Sequence, residues 1–348
     1  NKNLIINGAM NVAQRGTSST GLGASAGYFT LDRYRTTFSS TAGRLTMSQV
    51  ADVHDGFANA MKLDCTTADT SVGASEYFIL QQKIEGQDLQ QLKKGSSDAE
   101  EFTVSFYVKG NASATYVVEM YDLDNNRQIS KTFSVTTGWT RVELTFPADT
   151  TGALDDDNAA SLQLGIWLHG GSNYTSGTLN SSAFAANTNA NRAVGISSFF
   201  DSTDRTFFLT GLQLEVGSVA TDFEHRSFAQ ELALCQRYCY VIPVTTDDFI
   251  GNTSCYANST TNIKGIFHFP QVMRTYPTYT GTNTAARGRA GNTSANFDLD
   301  DISGGLGDST NPNPRAYGFT VTTSSMTGGQ AVLLEGQASG SITFDAEL

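Results

Sequence analysis

Apolar and polar residues alternate strictly, one by one, in stretch after stretch of the first two thirds of this chain. A side chain that returns to the same side every second residue belongs to a strand with one face buried. Phe102, Val104, Phe106 and Val108 alternate with Thr103, Ser105, Tyr107 and Lys109. Val142, Leu144 and Phe146 alternate with Arg141, Glu143 and Thr145. Leu162, Leu164, Ile166 and Leu168 alternate with Gln163, Gly165, Trp167 and His169. Met61, Leu63 and Cys65 give a shorter case, and Tyr77 to Ile84 and Tyr116 to Tyr121 read as further strands. Phe207 to Glu215 begins apolar on both faces, which predicts a central strand. Asn1 to Met10 also reads as a strand, which fits an internal cut point in a longer chain.

Composition agrees with the pattern. Only 16 % of the 348 residues are charged, too few to coat long solvated helices. Several short antiparallel strands joined by Gly/Asn/Asp turns make a sandwich or jelly roll. Asp122 to Asn126 is such a turn. Ala148 to Ala160, carrying Asp149, Asp155, Asp156 and Asp157, is expected to be a solvated loop. Gly170 to Ala193 is long, with little to bury, and loops of that kind are usually functional or mobile.

One helix interrupts this. Ser227 and Gln230 form a capping box. Phe228, Leu232, Cys235 and Cys239 then follow at spacings of four, three and four, a short heptad seam. That seam is either the face of a lone amphipathic helix or a contact about a threefold axis through Phe228, Leu232 and Cys235. Strand patterns resume in Gly265 to Phe269, Tyr317 to Thr322, Ala331 to Glu335 and Gly340 to Phe344, with a turn at Asp298 to Asp308. The expected fold class is all-β: a jelly-roll β-sandwich over 1–224, a helical linker over 225–240 and a smaller β-sandwich over 241–348. Between Pro270 and Pro277 an edge strand is expected, with Arg274 placed to grip a carboxylate.

A formal charge of −12 repels phosphates, so neither nucleic acid nor anionic lipid is an expected partner. No stretch approaches the roughly 20 apolar residues of a membrane span. The four cysteines, Cys65, Cys235, Cys239 and Cys255, match no zinc spacing and read as small buried hydrophobes in a reducing compartment. Asn-x-Ser/Thr triplets begin at Asn111, Asn173, Asn180, Asn252, Asn258 and Asn292, as expected by chance in a chain this rich in these residues. His54, His169, His225 and His268 are scattered and form no metal-binding motif. Asp122, Asp124 and Asn126 begin like a calcium loop, but Arg127 stands where the loop needs Gly. Catalytic residues, metal and cofactor are therefore all expected to be none.

Several segments resemble the C-terminal modules of bacteriophage tail-fibre and related virion proteins. Asn3-Leu-Ile-Ile-Asn-Gly-Ala-Met10 runs into Ala13-Gln-Arg-Gly-Thr17, and Leu209-Thr-Gly-Leu-Gln-Leu-Glu-Val-Gly217 into Ala220-Thr-Asp-Phe-Glu224. Glu231-Leu-Ala-Leu-Cys-Gln-Arg-Tyr238, Phe269-Pro-Gln-Val-Met-Arg-Thr-Tyr-Pro277 and Phe344-Asp-Ala-Glu-Leu348 follow in the family's order. The resemblance implies a virion component, a homotrimer among other virion proteins, with a module similar to jelly-roll carbohydrate-binding modules. Such modules often hold calcium where their first and last strands meet. The matching positions are Asn11 and Thr210, and neither carries a carboxylate, which argues against calcium there.

Three functions compete: a glycan-binding fibre, a structural capsid or tail decoration, and a polysaccharide-cleaving spike. The first is favoured. Its partner is a host cell-surface glycan, and its expected platform is the outward face of the strand around Trp167, with Gln163, His169, Tyr107 and Tyr174. Trp139 is a weaker candidate for that platform, because a Trp entering a strand after Thr-Thr-Gly is more often a core plug.

Overall fold

A computed structural model of the chain describes residues 2–251, 253–282, 285–290, 293–304 and 314–348. Asn252, Asn292 and residues 305–308 of the expected turn from Asp298 to Asp308 lie outside them. The described residues are nearly all β and fall into two compact units, Asn1–Glu231 with Leu348, and Leu232–Glu347.

The first unit is a jelly-roll sandwich of two antiparallel sheets. One runs in the order Ser18–Leu22, Arg44–Val50, Ala60–Thr67, Thr206–Val216, Phe102–Gly110, Thr140–Phe146. The other runs Ala185–Ala186, Arg127–Val135, Ala114–Asp122, Ala160–Gly170, Tyr77–Glu85, Arg35–Ser39, Gly27–Tyr28. The inward stripes, among them Val104, Phe106, Val142, Leu162, Leu164 and Ile166, share one core with Phe78, Phe199 and Phe200. Thr206–Val216 lies between two partners, as its two-faced apolar start requires. Residues 2–10 correct one expectation. They form no strand, because Asn3 and Asn7 take the local backbone groups instead: Asn3 Oδ1 accepts from Ile5 N and Leu214 N, and Asn7 Oδ1 from Val12 N.

The helix is Phe228–Gln236, opened by the capping box: Gln230 N donates to Ser227 Oγ (3.3 Å) and Ser227 N to Gln230 Oε1 (3.0 Å). It stops before Cys239, which begins the strand Cys239–Val244, so the heptad seam ends at Cys235. Cys235 is fully buried in its own chain, Leu232 half-buried and Phe228 exposed. Cys235 therefore cannot line an axis between chains. The helix turns Glu231 and Cys235 inward, and Glu231 accepts from Asn7 N (2.5 Å) and Arg226 (3.3 Å).

In the second unit, Cys239–Val244, Gly340–Asp345 and Thr278–Thr282 pair in one sheet. A longer ladder runs Thr293–Asp298, Ala285–Ala290, Ala331–Gly336, Thr253–Ala257, Asn262–His268, Ala316–Thr322, Ser303–Gly304. Phe267, Phe319 and Phe344 centre its core. Residues 269–277 form no strand, contrary to expectation. Arg274 Nε donates to Ala346 O (2.7 Å) and Nη2 to Glu347 O (2.9 Å), so its planar fork ties down two backbone carbonyls. Cys65 and Cys255 are free, and burial pushes their thiols up to about 11. Cys255 is only half-buried, contrary to its reading as a core residue. Among the described residues no helix is long and apolar enough to cross a membrane.

Candidate functional site

The strand Ala160–Gly170 turns its Leu/Ile stripe into the core and Trp167 to the opposite face, as its alternation requires. That face is not open. Residues 171–198 fold back over it, and Trp167 is fully buried beneath them. The Tyr174 ring lies 5.2 Å from the Trp167 ring, and the Arg192 guanidinium 4.9 Å from it. Trp167 Nε1–H donates to Glu119 Oε2 (2.9 Å), and Arg192 grips the same carboxylate through Nε (2.7 Å) and Nη2 (2.8 Å). Trp167 with Ile79, Val117 and Ala193 thus forms a small second core under a loop that seemed to have little to bury.

Three of the expected platform residues are corrected by this cover: Trp167, Gln163 and His169 are all buried. His169 has a further reason. The strand register slips after Trp167, so Trp167 lies opposite Ile79 but His169 opposite Phe78, a core residue. The slip sets the His169 ring edge-on to Phe200 at 5.4 Å. Tyr174 is half-buried against Trp167 and Tyr77 and holds the loop down. Asp149 is also corrected: it is buried with Lys94 (3.1 Å) and Arg127 (3.1 Å).

Tyr107 is half-buried, as Tyr174 is, but lies elsewhere. It stands on the outer face of the other sheet, opposite Thr210 and Arg141. His54 stacks on its ring at 4.1 Å, Phe57 lies at 5.5 Å, and Phe57 in turn meets Phe223 (5.1 Å) and His225 (5.2 Å). Phe57, His54 and Phe223 are half-buried and His225 is exposed. Gly211 makes the cluster possible. It has φ +63° in a bulge of Thr206–Val216, and a Cβ there would come within 2.6 Å of the Phe57 ring and 2.9 Å of Tyr107.

The band continues along the same face. Phe208 is paired with Lys109, which lies 4.6 Å from its ring, and Trp139 meets Phe208 edge-on at 6.2 Å. Trp139 is therefore half-buried on the outside of the sandwich, not a core plug. Polar groups border the rings. Lys109 pairs with Asp52 (2.6 Å), and Arg141 with Glu143 (3.0 Å). Sequence reading missed His54, Phe57, Phe223 and His225 because they sit on loops, where no periodicity marks a face. The Gly in Leu209-Thr-Gly-Leu was the available signal, since a Gly inside a strand marks a bulge or a close approach. Asn59 joins Asn11 and Thr210: its Nδ2 donates to Asn11 Oδ1 (3.0 Å) and its carbonyl accepts from Thr210 Oγ1 (2.8 Å).

No family model and no curated protein matches the chain. Among solved structures, it is similar to TmCBM61 in complex with β-1,4-galactotriose, at 11% identity and TM-score 0.33, over 62% of this chain and 99% of that one. A family 11 carbohydrate-binding module from Clostridium thermocellum, in complex with a β-1,3-1,4-mixed-linked tetrasaccharide, gives 10% identity and TM-score 0.28 over 60% and 98%. The enzymatically active domain of tailspike protein 4 from bacteriophage CBA120 gives 11% identity and TM-score 0.33, over 62% of this chain and 21% of that one. Likeness of this degree assigns no site.

Proposed function

We propose that the first unit is a non-catalytic carbohydrate-binding module, and that the chain is a bacteriophage fibre component, on tail or capsid, that attaches to host-surface glycans. The observation that carries the binding reading is the band of rings from Trp139 and Phe208 through Tyr107, Phe57 and His54 to Phe223 and His225. It lies on the outer face of the sheet, with Phe208 buried beneath Lys62 and Lys109 and the other rings half-buried or exposed, and is flanked by Lys109, Arg141 and Asp52. Sugar C–H faces stack on rings while hydroxyls bond to neighbouring polar groups, and sites of this kind combine the two. The virion reading rests on the run of family-like segments from Asn3 to Leu348. The test is glycan-array and host-cell binding by wild type and Tyr107→Ala. A loss of about tenfold is expected from removing one stacking ring. Undiminished binding by a folded Tyr107→Ala protein removes this face from the site.

A structural decoration is the second reading, and one observation favours it. Phe249, Tyr256, Ile266 and Leu333 are exposed, and strand pairing puts them on one face of the second unit's longer ladder. Contiguous exposed apolar surface marks an interaction site, here with further copies of the chain in a homotrimer.

A further inference from the structure

We propose that Asp69, Glu76 and His169 form a binding site for one divalent transition-metal ion, with zinc the best fit. The three come from separate segments: Asp69 follows the strand Ala60–Thr67, Glu76 precedes Tyr77–Glu85, and His169 sits near the end of Ala160–Gly170. Their ligand atoms all lie within 4.8 Å of one another. His169 Nε2 stands 3.4 Å from Glu76 Oε2. Two donors held about 2.1 Å from a tetrahedral ion are themselves roughly 3.4 Å apart, so this pair already has the spacing of zinc ligands.

The surroundings orient the set. His169 Nδ1 shares a 2.8 Å hydrogen bond with Ser198 Oγ, which also accepts from Phe200 N (3.0 Å). With Nδ1–H donated to Ser198, Nε2 presents its lone pair to the carboxylates, which is how metal-ligating histidines are held. Asp69 is fixed by Thr41 Oγ1 (2.8 Å) and Ala42 N (2.8 Å). His169 is fully buried, and a ligating imidazole must be neutral.

Charge supplies an independent argument. The buried carboxylates Glu119, Asp122, Asp149, Glu231 and Glu335 each face an Arg or Lys, whereas buried Glu215 is held by Thr221 and Gln213. Among the described residues neither Asp69 nor Glu76 forms a salt bridge with an Arg or Lys, and the His169 ring stands 3.4 Å from Glu76. Two carboxylates around a neutral imidazole form an anionic pocket that a cation completes. An imidazole ligand selects zinc-like ions over calcium, which takes oxygen ligands. Residues 70–75, which lead from Asp69 to Glu76, are mostly exposed, and Glu76 is half-buried.

The test strips the purified full chain with a chelator, then titrates it with Zn2+ by calorimetry and measures bound metal per chain. One zinc per chain is expected, with a rise in thermal midpoint as binding to the folded form requires. Glu76→Gln, near-isosteric and at the pocket edge, should weaken affinity by about tenfold or more, and Ser198→Ala by about tenfold through loss of ring orientation. His169→Gln should abolish the stoichiometric site. Absence of saturable Zn2+ binding by wild type up to about 100 µM overturns the proposal. So does zinc binding that Glu76→Gln and His169→Gln leave unchanged, or a preference for Ca2+. Metal content is read without any glycan, so this outcome is separate from that of the carbohydrate-binding reading.

Discussion

Gly211 shows how one residue decides what a sheet face can carry. Its φ of +63° is the left-handed region that a side chain disfavours, and the Phe57 and Tyr107 rings occupy the space a Cβ would need. Gly211→Ala therefore has two costs, backbone strain of about 1 kcal/mol and displacement of the ring cluster. The expected result is a folded protein with weakened glycan binding, and glycan binding at wild-type strength would show that the ring positions do not matter. Trp167 makes the converse point. Alternation correctly assigned its side of the strand, but a side is not an exposure. Whether an outward ring meets water depends on what folds over it, and here that is set by Arg192, some 25 residues on, gripping Glu119 on a neighbouring strand. Arg192→Met should cost about 3 kcal/mol in urea unfolding, because it leaves Glu119 buried without its cation. Adding Glu119→Gln to that variant should restore part of the loss, and a double variant no more stable than the single would exclude the ion pair as the latch.

Strands were legible in the sequence wherever one face is buried and the other wet, which is the condition that writes period two into a chain. Phe102–Gly110 and Thr140–Phe146 satisfy it, and Thr206–Val216 betrays its central place by being apolar on both sides. Connections were less legible, because their partners are distant in sequence. The segment from Ala148 to Ala160 looked solvated from its aspartates, yet Asp149 lies buried against Arg127 and Lys94. Burial alone would raise the Asp149 pKa, but hydrogen bonds from Arg127 and Lys94 outweigh it and hold the carboxyl below its usual value. A carboxyl depressed in the folded state contributes stability above its unfolded pKa of about 3.9, and that contribution is lost as pH falls through the folded value. Wild type should thus lose stability on acidification below about pH 4 more steeply than Asp149→Asn. The variant should already be weaker at pH 7, by about 3 kcal/mol. Parallel stability curves against pH for the two proteins would place the acid sensitivity elsewhere.

The proposed homotrimer needs apolar surface to bury between copies of the chain, and the two surfaces available for this differ in kind. On the helix, Phe228 is exposed and Cys235 is closed off inside its own chain, so a three-residue seam is reduced to an exposed ring beside a half-buried Leu232. On the second unit, Leu333 and Tyr256 project from neighbouring strands, Ile266 from the next strand, and Phe249 bridges to Glu335 at the other side. Arg287 and Arg289 hold Glu335 on that same face, so a charged group borders the apolar one. Burying four such side chains is worth about 1.5–3 kcal/mol each, enough to dominate a small interface. The expected mass by light scattering at about 10 µM is three chains, and Ile266→Lys with Leu333→Lys should reduce it to one while leaving the unit folded. Both positions are exposed strand residues whose inward neighbours, Phe267 and Val332, stay untouched, so the substitutions bear on assembly and not on the core. Dissociation by Phe228→Lys alone would move the contact to the helix. A wild-type protein of one chain mass at that concentration would leave the sheet face without its proposed occupant and remove the homotrimer.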